Sequence, residues 1–374
     1  YYFYSNTRKI KMEIAVLGGG NGSYAAAAHL SEQGHSVRMW RRNHSRFSKV
    51  LSSREKALED WESERKVKID MATDDLSSAI KGAKLVLIPL PATCHNQLSN
   101  EVAPYLEDGQ VVFFSPGTFG SYIFAESLRC SDNRAEVTFA ETGTLPYLAR
   151  KQSEEKVRIS VYATRLPTGV YPSNRTAMAM ETLSNAYPAV EPLRDALDGA
   201  LMNAGPIIHP PLIILNAGPL EHFESWDIHN EGTQPSIRRV TSELDKERIY
   251  LREQLGYGEP HFPLENHYDD SKEEWMYGNH SHEKLTDSGD WREKIDLLAH
   301  RYMLEDVALG LSLWASIARW LDVDIPLATG ILSISSAIVG RDLCSTGRTL
   351  ENLGLAEFSK DTLNVLLREG VASE

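Results

Sequence analysis

The sequence predicts an α/β protein in which a mostly parallel, doubly wound sheet is followed by an all-helical second half. Short apolar runs alternate with helical stretches from Met12 onward, a glycine-rich turn follows the first run, and strand signals stop near Thr176. With 374 residues, the chain is long enough for two domains with separate cores. We expect a tail or cloning remnant at 1–11, a sheet domain at 12–175 and a helical domain at 176–374.

The first unit of the sheet domain spans residues 12–43. An apolar run at 14–17 leads into a glycine loop, an alanine-rich helix, a helix-stopping glycine and a second apolar run at 37–40. A strand, tight turn, helix and strand within about 30 residues is the Rossmann-type arrangement that binds dinucleotides. The loop residues expected to bind the cofactor are Gly18, Gly20, Asn21, Gly22 and Ser23.

The residues after the second strand predict the type of dinucleotide. NAD enzymes carry a carboxylate there for the ribose 2′-hydroxyl, whereas an arginine suits the 2′-phosphate of NADP. This chain has Arg41 and Arg42 and no acid until Glu55. The sequence therefore predicts that NADP(H) is preferred and NAD(H) possible, although two solvated surface arginines remain an alternative.

The remaining elements are predicted from the spacing of the apolar residues and from the glycine and proline residues that separate the segments. A polar helix is expected at 45–66, an edge strand at 67–69 and a short helix at 74–81, and further strands at 84–89, 110–114, 136–140, 157–162 and near Gly169. Pro91 follows one of these strands at the carboxyl edge, where open sheets bind ligands, so we expect it to contact the cofactor.

Segment 259–296 interrupts the helical half, and we interpret it as a long loop that could lie over the site. The spacing of its four histidines fits no standard metal site, so no metal is expected.

Composition excludes several kinds of partner. The net charge of −13 argues against nucleic acid and anionic membrane surfaces. No apolar run approaches the ~18 residues that span a bilayer. Cys94, Cys130 and Cys344 give neither a disulfide framework nor a zinc pattern, which favours a reducing, cytoplasmic location. A homodimer is plausible.

Two motifs in the helical half carry candidate chemistry. His209 precedes Pro210, which suits a first helical position, so we expect His209 at a helix N-terminus, with a carboxylate neighbour raising its pKa into the acid–base range. Asp306 lies at the edge of a buried helical stripe, where a carboxylate needs a partner. Arg301 lies about 140° away round an ideal helix and is suited to clamp a carboxylate. The residues alone leave open a packed histidine and a surface ion network.

Taken together, these motifs resemble the opine dehydrogenase family, which includes octopine and nopaline dehydrogenases. The resemblance rests on Gly18 to Gly22, Pro91-Ala92, Glu141-Thr142, Asn203…His209-Pro210, Glu231-Gly232…Pro235-Ser236, Asp245…Glu247-Arg248-Ile249, Arg301-Tyr302…Glu305-Asp306-Val307 and Gly347-Arg348-Thr349-Leu350…Leu353-Gly354-Leu355.

The resemblance implies a Rossmann-type domain followed by an opine-dehydrogenase-type helical domain. It also implies NAD(P)H-dependent reductive condensation of an amino acid's amine with a 2-oxo acid such as pyruvate. By the same resemblance, His209 and Asp306 match the catalytic pair, Arg301 the residue that holds the substrate carboxylate, and Glu141 a residue that contacts the amino substrate.

Three positions depart from the family pattern. Ser23 replaces the last glycine of the loop and Gly205 replaces a common asparagine, which affects fine geometry. Arg41 stands where several relatives carry aspartate, which changes the cofactor prediction.

Two alternatives were weighed. A ketopantoate-reductase-like or glycerol-3-phosphate-dehydrogenase-like enzyme would share the two-domain plan, but those enzymes use a catalytic lysine early in the second domain, and the chain has no lysine between Val157 and Asp245. A non-catalytic NADP-sensing protein would tolerate loss of His209 or Asp306, and both are present.

Overall fold

The computed structural model describes residues 10–43, 47–289 and 291–371. The predicted tail at 1–11 lies mostly outside these residues. The strands are β1 (Glu13–Leu17), β2 (Ser36–Trp40), β3 (Glu55–Glu59), β4 (Glu64–Lys68), β5 (Met71–Thr73), β6 (Leu85–Ile88), β7 (Val111–Phe114), β8 (Thr138–Thr142), β9 (Tyr147–Lys151), β10 (Lys156–Tyr162), β11 (Leu166–Tyr171), β12 (Val190–Pro192), β13 (Trp226–Asp227) and β14 (Arg292–Glu293).

Helices fill the faces of the sheet and most of the second half. They are α1 (Asn21–Glu32), α2 (Ser48–Ser53), α3 (Leu76–Ile80), α4 (His95–Val102), α5 (Gly120–Cys130), α6 (Thr176–Ala186), α7 (Ala196–Ala200), α8 (Gly205–Leu215), α9 (Ala217–His222), α10 (Pro235–Gln254), α11 (Ser281–Asp287), α12 (Ser312–Leu321), α13 (Pro326–Val339), α14 (Leu343–Thr346) and α15 (Lys360–Glu369). A π-helical stretch, Tyr302–Leu311, leads directly into α12.

The main sheet confirms the predicted doubly wound architecture. Its order is β12-β11-β8-β7-β6-β1-β2-β5, and within it β8 and β11 pair antiparallel while the other neighbours run parallel. Strands β6 and β7 are buried along their whole length because helices cover both faces. The strand order reverses between β1 and β6, so the carboxyl ends of these two strands frame a ligand crevice.

The helix predicted at 45–66 is wrong over most of its length. Only α2 is helical, and β3 and β4 form an antiparallel hairpin in a second sheet of order β4-β3-β10-β9. Lys56 and Leu58 are buried while their neighbours on β3 are more exposed, which is the two-residue period of a strand. The sequence does not show this two-residue period, because the buried position 56 is a lysine and a lysine is normally expected on the surface. Residues 44–46 lie outside the described part.

The sheet continues past the predicted domain boundary at residue 175. Helix α6 leads to β12, which pairs with β11 as an edge of the main sheet. The rest of the second half is helical apart from the short β13–β14 pair, as predicted. We therefore propose that the helical domain begins near residue 192 rather than 176.

Candidate active site

The glycine loop between β1 and α1 has the geometry that a dinucleotide needs. Gly18 has a φ of +129°, and a Cβ on it would lie 2.6 Å from both Leu90 Cδ2 and Ser23 Oγ. A Cβ on Gly20 would meet nothing within 4 Å, so the backbone here is open to an approaching phosphate. The buried Ser23 hydroxyl has no hydrogen-bond partner among the described residues. The loop therefore fits a pyrophosphate at the start of α1.

The two arginines predicted to bind the cofactor point in different directions. Arg41 lies over the loop, because a Cβ on Gly19 would be 2.5 Å from Arg41 Nε. Arg42 instead pairs with Glu101 at 2.8 Å and is 56% exposed. Arg41 thus lies at the loop, whereas the guanidinium of Arg42 is engaged on the outer face of α4, and its cofactor contact stays a prediction.

A cavity of about 300 Å³ joins the loop to the helical domain. Its lining includes the predicted residues Gly20, Asn21, Gly22, Pro91, His209, Arg301 and Asp306. Loop residues and candidate catalytic residues therefore face one space. Segment 259–296 also contributes to the lining, through Tyr268 and Trp275 among others.

His209 and Asp306 form a direct pair, with His209 Nδ1 2.7 Å from Asp306 Oδ2. The imidazole is further fixed by Tyr302, whose ring stacks on it at a centroid separation of 3.7 Å and an interplanar angle of 14°. Because Nδ1 is engaged by the carboxylate, Nε2 is the ring nitrogen that remains for a substrate. This arrangement is suited to moving a proton at a defined position.

His209 does not lie at a helix N-terminus, which corrects the sequence prediction. Helix α8 begins at Gly205, four residues earlier, with Pro206 in the first turn, so the dipole end is a full turn away. The glycine has a steric role of its own, because a Cβ on Gly205 would overlap Asp306 Oδ1. The departure from the family asparagine at this position therefore makes room for the carboxylate.

Burial controls the protonation of the pair. It lowers the pKa of His209 well below its usual value, and the charges of Arg301 and His300 act in the same direction. Burial raises the pKa of Asp306 to about 7, opposed by Arg301. The expected rise of the histidine pKa is therefore wrong, since desolvation outweighs the carboxylate. The imidazole is therefore uncharged at neutral pH, and Nε2 has a free lone pair when Nδ1 carries the proton that faces Asp306.

Arg301 and Asp306 are not spaced as in an ideal α-helix, because the residues between them belong to a π-helical stretch. A π-helix has i→i+5 hydrogen bonds and more residues per turn, so residues five apart are turned less far from each other than the roughly 140° of an α-helix. The Arg301 side chain is 44% exposed and lines the cavity, with Nη1 3.9 Å from Glu305 Oε2. A guanidinium in this position can bind a carboxylate bidentately.

Glu305 is a site residue that sequence reasoning did not single out. It is buried, and its Oε1 accepts a 2.7 Å hydrogen bond from the backbone N–H of Ala92, next to Pro91. Burial raises the pKa of Glu305 to about 7. Glu305 thus connects the helical domain to the carboxyl edge of the sheet. Its position four residues after Arg301 was the available signal.

Arg348, from the C-terminal Gly-Arg-Thr-Leu motif, makes a second connection between the domains. It is buried and donates to the carbonyl oxygens of Ala92, at 3.0 Å, and of Thr118. Through Arg348, this motif of the helical domain is hydrogen-bonded to loops of the sheet domain beside the cleft.

Glu141 is hydrogen-bonded to the start of α5. Its side chain is fully buried at the end of β8 and accepts hydrogen bonds from Phe119 N, Ser121 N and Ser121 Oγ at 2.6–2.9 Å. It is not part of the cavity lining. The carboxylate is occupied by the first turn of α5, and its contact with the amino substrate stays a prediction.

The described residues contain no group of three or more histidine, cysteine or carboxylate side chains that could hold a metal ion. The helices within this same part of the chain are too short or too polar to cross a membrane. The three cysteines are free thiols.

A Rossmann-type loop and a buried histidine–aspartate pair that share one cavity define an NAD(P)-dependent oxidoreductase. The comparisons agree. Residues 192–339 match the family model of the NAD/NADP octopine/nopaline dehydrogenase alpha-helical domain, and residues 13–118 match the NAD-dependent glycerol-3-phosphate dehydrogenase N-terminus.

Relatives cover nearly the whole chain. The opine dehydrogenase of Arthrobacter sp. (strain 1C) is 26% identical over 347 residues, which is 91% of this chain and 95% of the relative. Octopine dehydrogenase solved with NADH and L-arginine has a TM-score of 0.71 at 19% identity, covering 97% and 99% of the two chains. Yersinopine dehydrogenase solved with NADP+ has a TM-score of 0.64 at 15% identity, covering 96% and 98%.

The chain is therefore similar to the opine dehydrogenases over nearly its whole length, and its helical half matches the model of their helical domain. It is an NAD(P)-dependent oxidoreductase that acts on CH–NH donors, and its reaction is the reductive condensation of an amino acid with a 2-oxo acid. The ketopantoate-reductase-like and glycerol-3-phosphate-dehydrogenase-like alternatives are not favoured, because the helical half matches the octopine/nopaline model.

Proposed function

We propose that His209 is the acid–base group of this reaction, that Asp306 orients it, and that Arg301 binds the carboxylate of the 2-oxo acid. The observation that supports this most is the 2.7 Å contact between His209 and Asp306 in the cavity that also reaches Gly20, Asn21 and Gly22. A catalytic pair beside a dinucleotide loop is what hydride transfer to a substrate requires.

The order of proton transfers follows from the uncharged state of His209. Its Nε2 accepts a proton from the substrate ammonium, and the free amine then attacks the carbonyl carbon held by Arg301. A proton passes from the attacking nitrogen to the former carbonyl oxygen, which gives a carbinolamine. The protonated imidazole, stabilised by Asp306, then gives its proton to the carbinolamine hydroxyl, which leaves as water, and the protonated imine forms. A nicotinamide cofactor held at the glycine loop would supply the hydride that reduces the imine carbon to the amine. Arg301 keeps that carbon at a fixed place throughout.

NADPH is the preferred cofactor in this proposal. Arg41 lies against Gly19, and Lys151 Nζ lies 3.5 Å from the Gly19 carbonyl oxygen. Lys56 and Lys151 both lie over the ring of Tyr24 in the first turn of α1, at 3.6 and 4.6 Å from its centroid. Two cations, Arg41 and Lys151, and the partly protonated Lys56 therefore converge beside the loop where a ribose 2′-phosphate would be held.

The protonation of Lys56 supports this interpretation. Burial is the main cause that lowers its pKa to about 7, and repulsion from Lys151 and Arg41 lowers it further. The carboxylates of Glu154 and Glu155 act in the opposite direction. A 2′-phosphate would offset the mutual repulsion of these cations, which favours NADPH over a cofactor that brings no charge to this place.

The reaction is tested by following NADPH oxidation with a panel of amino acids and a panel of 2-oxo acids. The proposal expects oxidation only when both substrates are present, and a product in which the amine nitrogen is bonded to the former carbonyl carbon. Oxidation with the 2-oxo acid alone would instead show a hydroxyacid dehydrogenase. The homodimer and the cytoplasmic location stay predictions, which sedimentation analysis and cell fractionation check.

A further inference from the structure

An aromatic recess extends the cavity beyond the catalytic pair. We define it by His229, His267, Tyr268, Trp275, His282 and Trp291, all of which line the cavity. The connection to the pair is direct, since Tyr302 stacks on His209 and its hydroxyl lies 3.4 Å from His229 Nε2. The recess is therefore next to the atoms that react.

The rings of the recess form two groups of contacting pairs. His229 meets Trp291 edge to face at a centroid separation of 5.2 Å. His267 contacts Trp275 at 4.8 Å and His282 at 5.3 Å. Tyr268 meets His282 at 4.8 Å. These distances are those of packed aromatic pairs, so the wall is preorganised and mostly apolar.

The histidines of this wall are uncharged at neutral pH. Burial lowers the pKa of His229 and of His267 well below the usual value, and lowers the pKa of His282 to about 4 with help from Arg238. They behave as flat, weakly polar rings rather than as cations.

The cations near the recess already occupy its aromatic faces. The guanidinium of Arg150 lies 3.9 Å from the ring centroid of Trp291, and that of Arg238 lies 4.7 Å from the centroid of Tyr268. An aromatic cage can attract a cationic ligand, but here two protein cations hold those positions and would repel a third.

The carboxylates of the cavity lining are also engaged. Among the described lining residues, Glu293 pairs with Arg150 at 3.0 Å and Asp306 with His209. Glu305 accepts from the Ala92 amide through Oε1, and its Oε2, which has no hydrogen bond within the described part of the chain, faces the guanidinium of Arg301 at 3.9 Å. A guanidinium or ammonium side chain entering the recess would find cations and neutral rings, and would lose its hydration without a partner.

We infer that the recess binds the side chain of the amino-acid substrate and selects an uncharged apolar or aromatic side chain over a cationic one. This inference rests on the proposed function and specifies its amino substrate. Ring stacking and removal of apolar area from water supply the binding free energy, while Arg301 and His209 hold the reacting groups.

The experiment compares kcat/KM for L-leucine, L-methionine and L-phenylalanine with that for L-arginine and L-lysine, at fixed pyruvate and NADPH. We expect at least about tenfold higher values for the uncharged set, the usual scale of pocket discrimination. A preference for arginine or lysine would overturn the inference while leaving the function intact. Failure of every amino acid and 2-oxo acid pair would overturn the function itself.

Variants test whether the recess is responsible. Trp291→Ala and Tyr268→Ala should each raise the KM of the best amino acid about tenfold and leave the KM of pyruvate and the Kd of NADPH unchanged. Trp61→Ala is the matched control, because Trp61 is 69% exposed and lies on the second sheet beside Tyr162. An unchanged KM in both folded recess variants would place the side chain elsewhere and contradict the inference.

Discussion

Gly205 and Asp306 are packed so closely that a Cβ on the glycine would overlap Oδ1 of the carboxylate. The relationship explains why the smallest residue stands at the start of α8, four positions before His209. It also makes a residue that carries no functional group essential to the geometry of the pair.

Gly205→Ala should therefore displace Asp306 and lower kcat by about 10²-fold, because catalytic groups tolerate little misplacement. The Kd of NADPH should be unaffected, since the glycine loop is on the other domain. Gly218→Ala in α9 is the control, as a Cβ there meets nothing within 4 Å. Equal activity of the two variants would show that Asp306 can move without consequence.

Arg301→Lys should chiefly raise the KM of the 2-oxo acid, by roughly tenfold, because lysine keeps the charge but loses the bidentate fork. Steady-state kinetics with varied pyruvate measure the change. NADPH affinity should hardly move. A matched loss of NADPH binding would instead make Arg301 a residue of domain closure.

The cofactor preference is expected to depend on Arg41 and not on Arg42. Arg41→Ala should raise the KM of NADPH by roughly tenfold to a hundredfold, the loss of one charge-assisted contact of about 1.5–3 kcal/mol. NADH kinetics should be unchanged. Arg42→Ala, which removes only the surface pair with Glu101, serves as the control. Wild-type enzyme that uses NADH as well as NADPH would contradict the assignment.

Glu305 should make the protein less stable as the pH rises. Its pKa is about 7 in the folded protein against 4.5 for the free side chain, so the folded state binds the extra proton between these values. Because the folded-state pKa is the higher one, the contribution of Glu305 to the free energy of unfolding is fully present below pH 4.5 and is lost as the pH rises to 7. Between these values the free energy of unfolding falls by about 1.4 kcal/mol per pH unit. Urea unfolding of wild type and Glu305→Gln at pH 5 and 7 measures it. The free energy of unfolding of Glu305→Gln should change less between pH 5 and 7 than that of the wild type. An equal change in both proteins would contradict the raised pKa of Glu305.

Patterns with a clear period were enough to predict the main sheet, the glycine loop and the helical second half. The β3–β4 hairpin was not predicted, because Lys56 is buried in the structure but is a residue type expected on the surface. Sequence spacing could not reveal the π-helical stretch, since it depends on tertiary packing, and so the ideal α-helix on which the predicted angle between Arg301 and Asp306 rested does not apply.

The partners of the site residues were equally beyond sequence reasoning. Arg41 and Arg42 are neighbours, yet one lies on the loop and the other pairs with Glu101. Glu141 matches a family position, but its carboxylate is bound by the start of α5. The pKa directions of His209 and Asp306 depend on burial, which only the folded chain defines.

The central claim is that His209 and Asp306 act as one unit in the condensation. Its most direct test is kcat for His209→Asn, Asp306→Asn and the double variant, each with NADPH binding measured alongside. His209→Asn should lower kcat by about 10²–10⁴-fold with the Kd of NADPH within a few-fold of wild type, and the double variant should be hardly worse. Losses that multiply in the double variant, or a nearly active His209→Asn, would contradict the account.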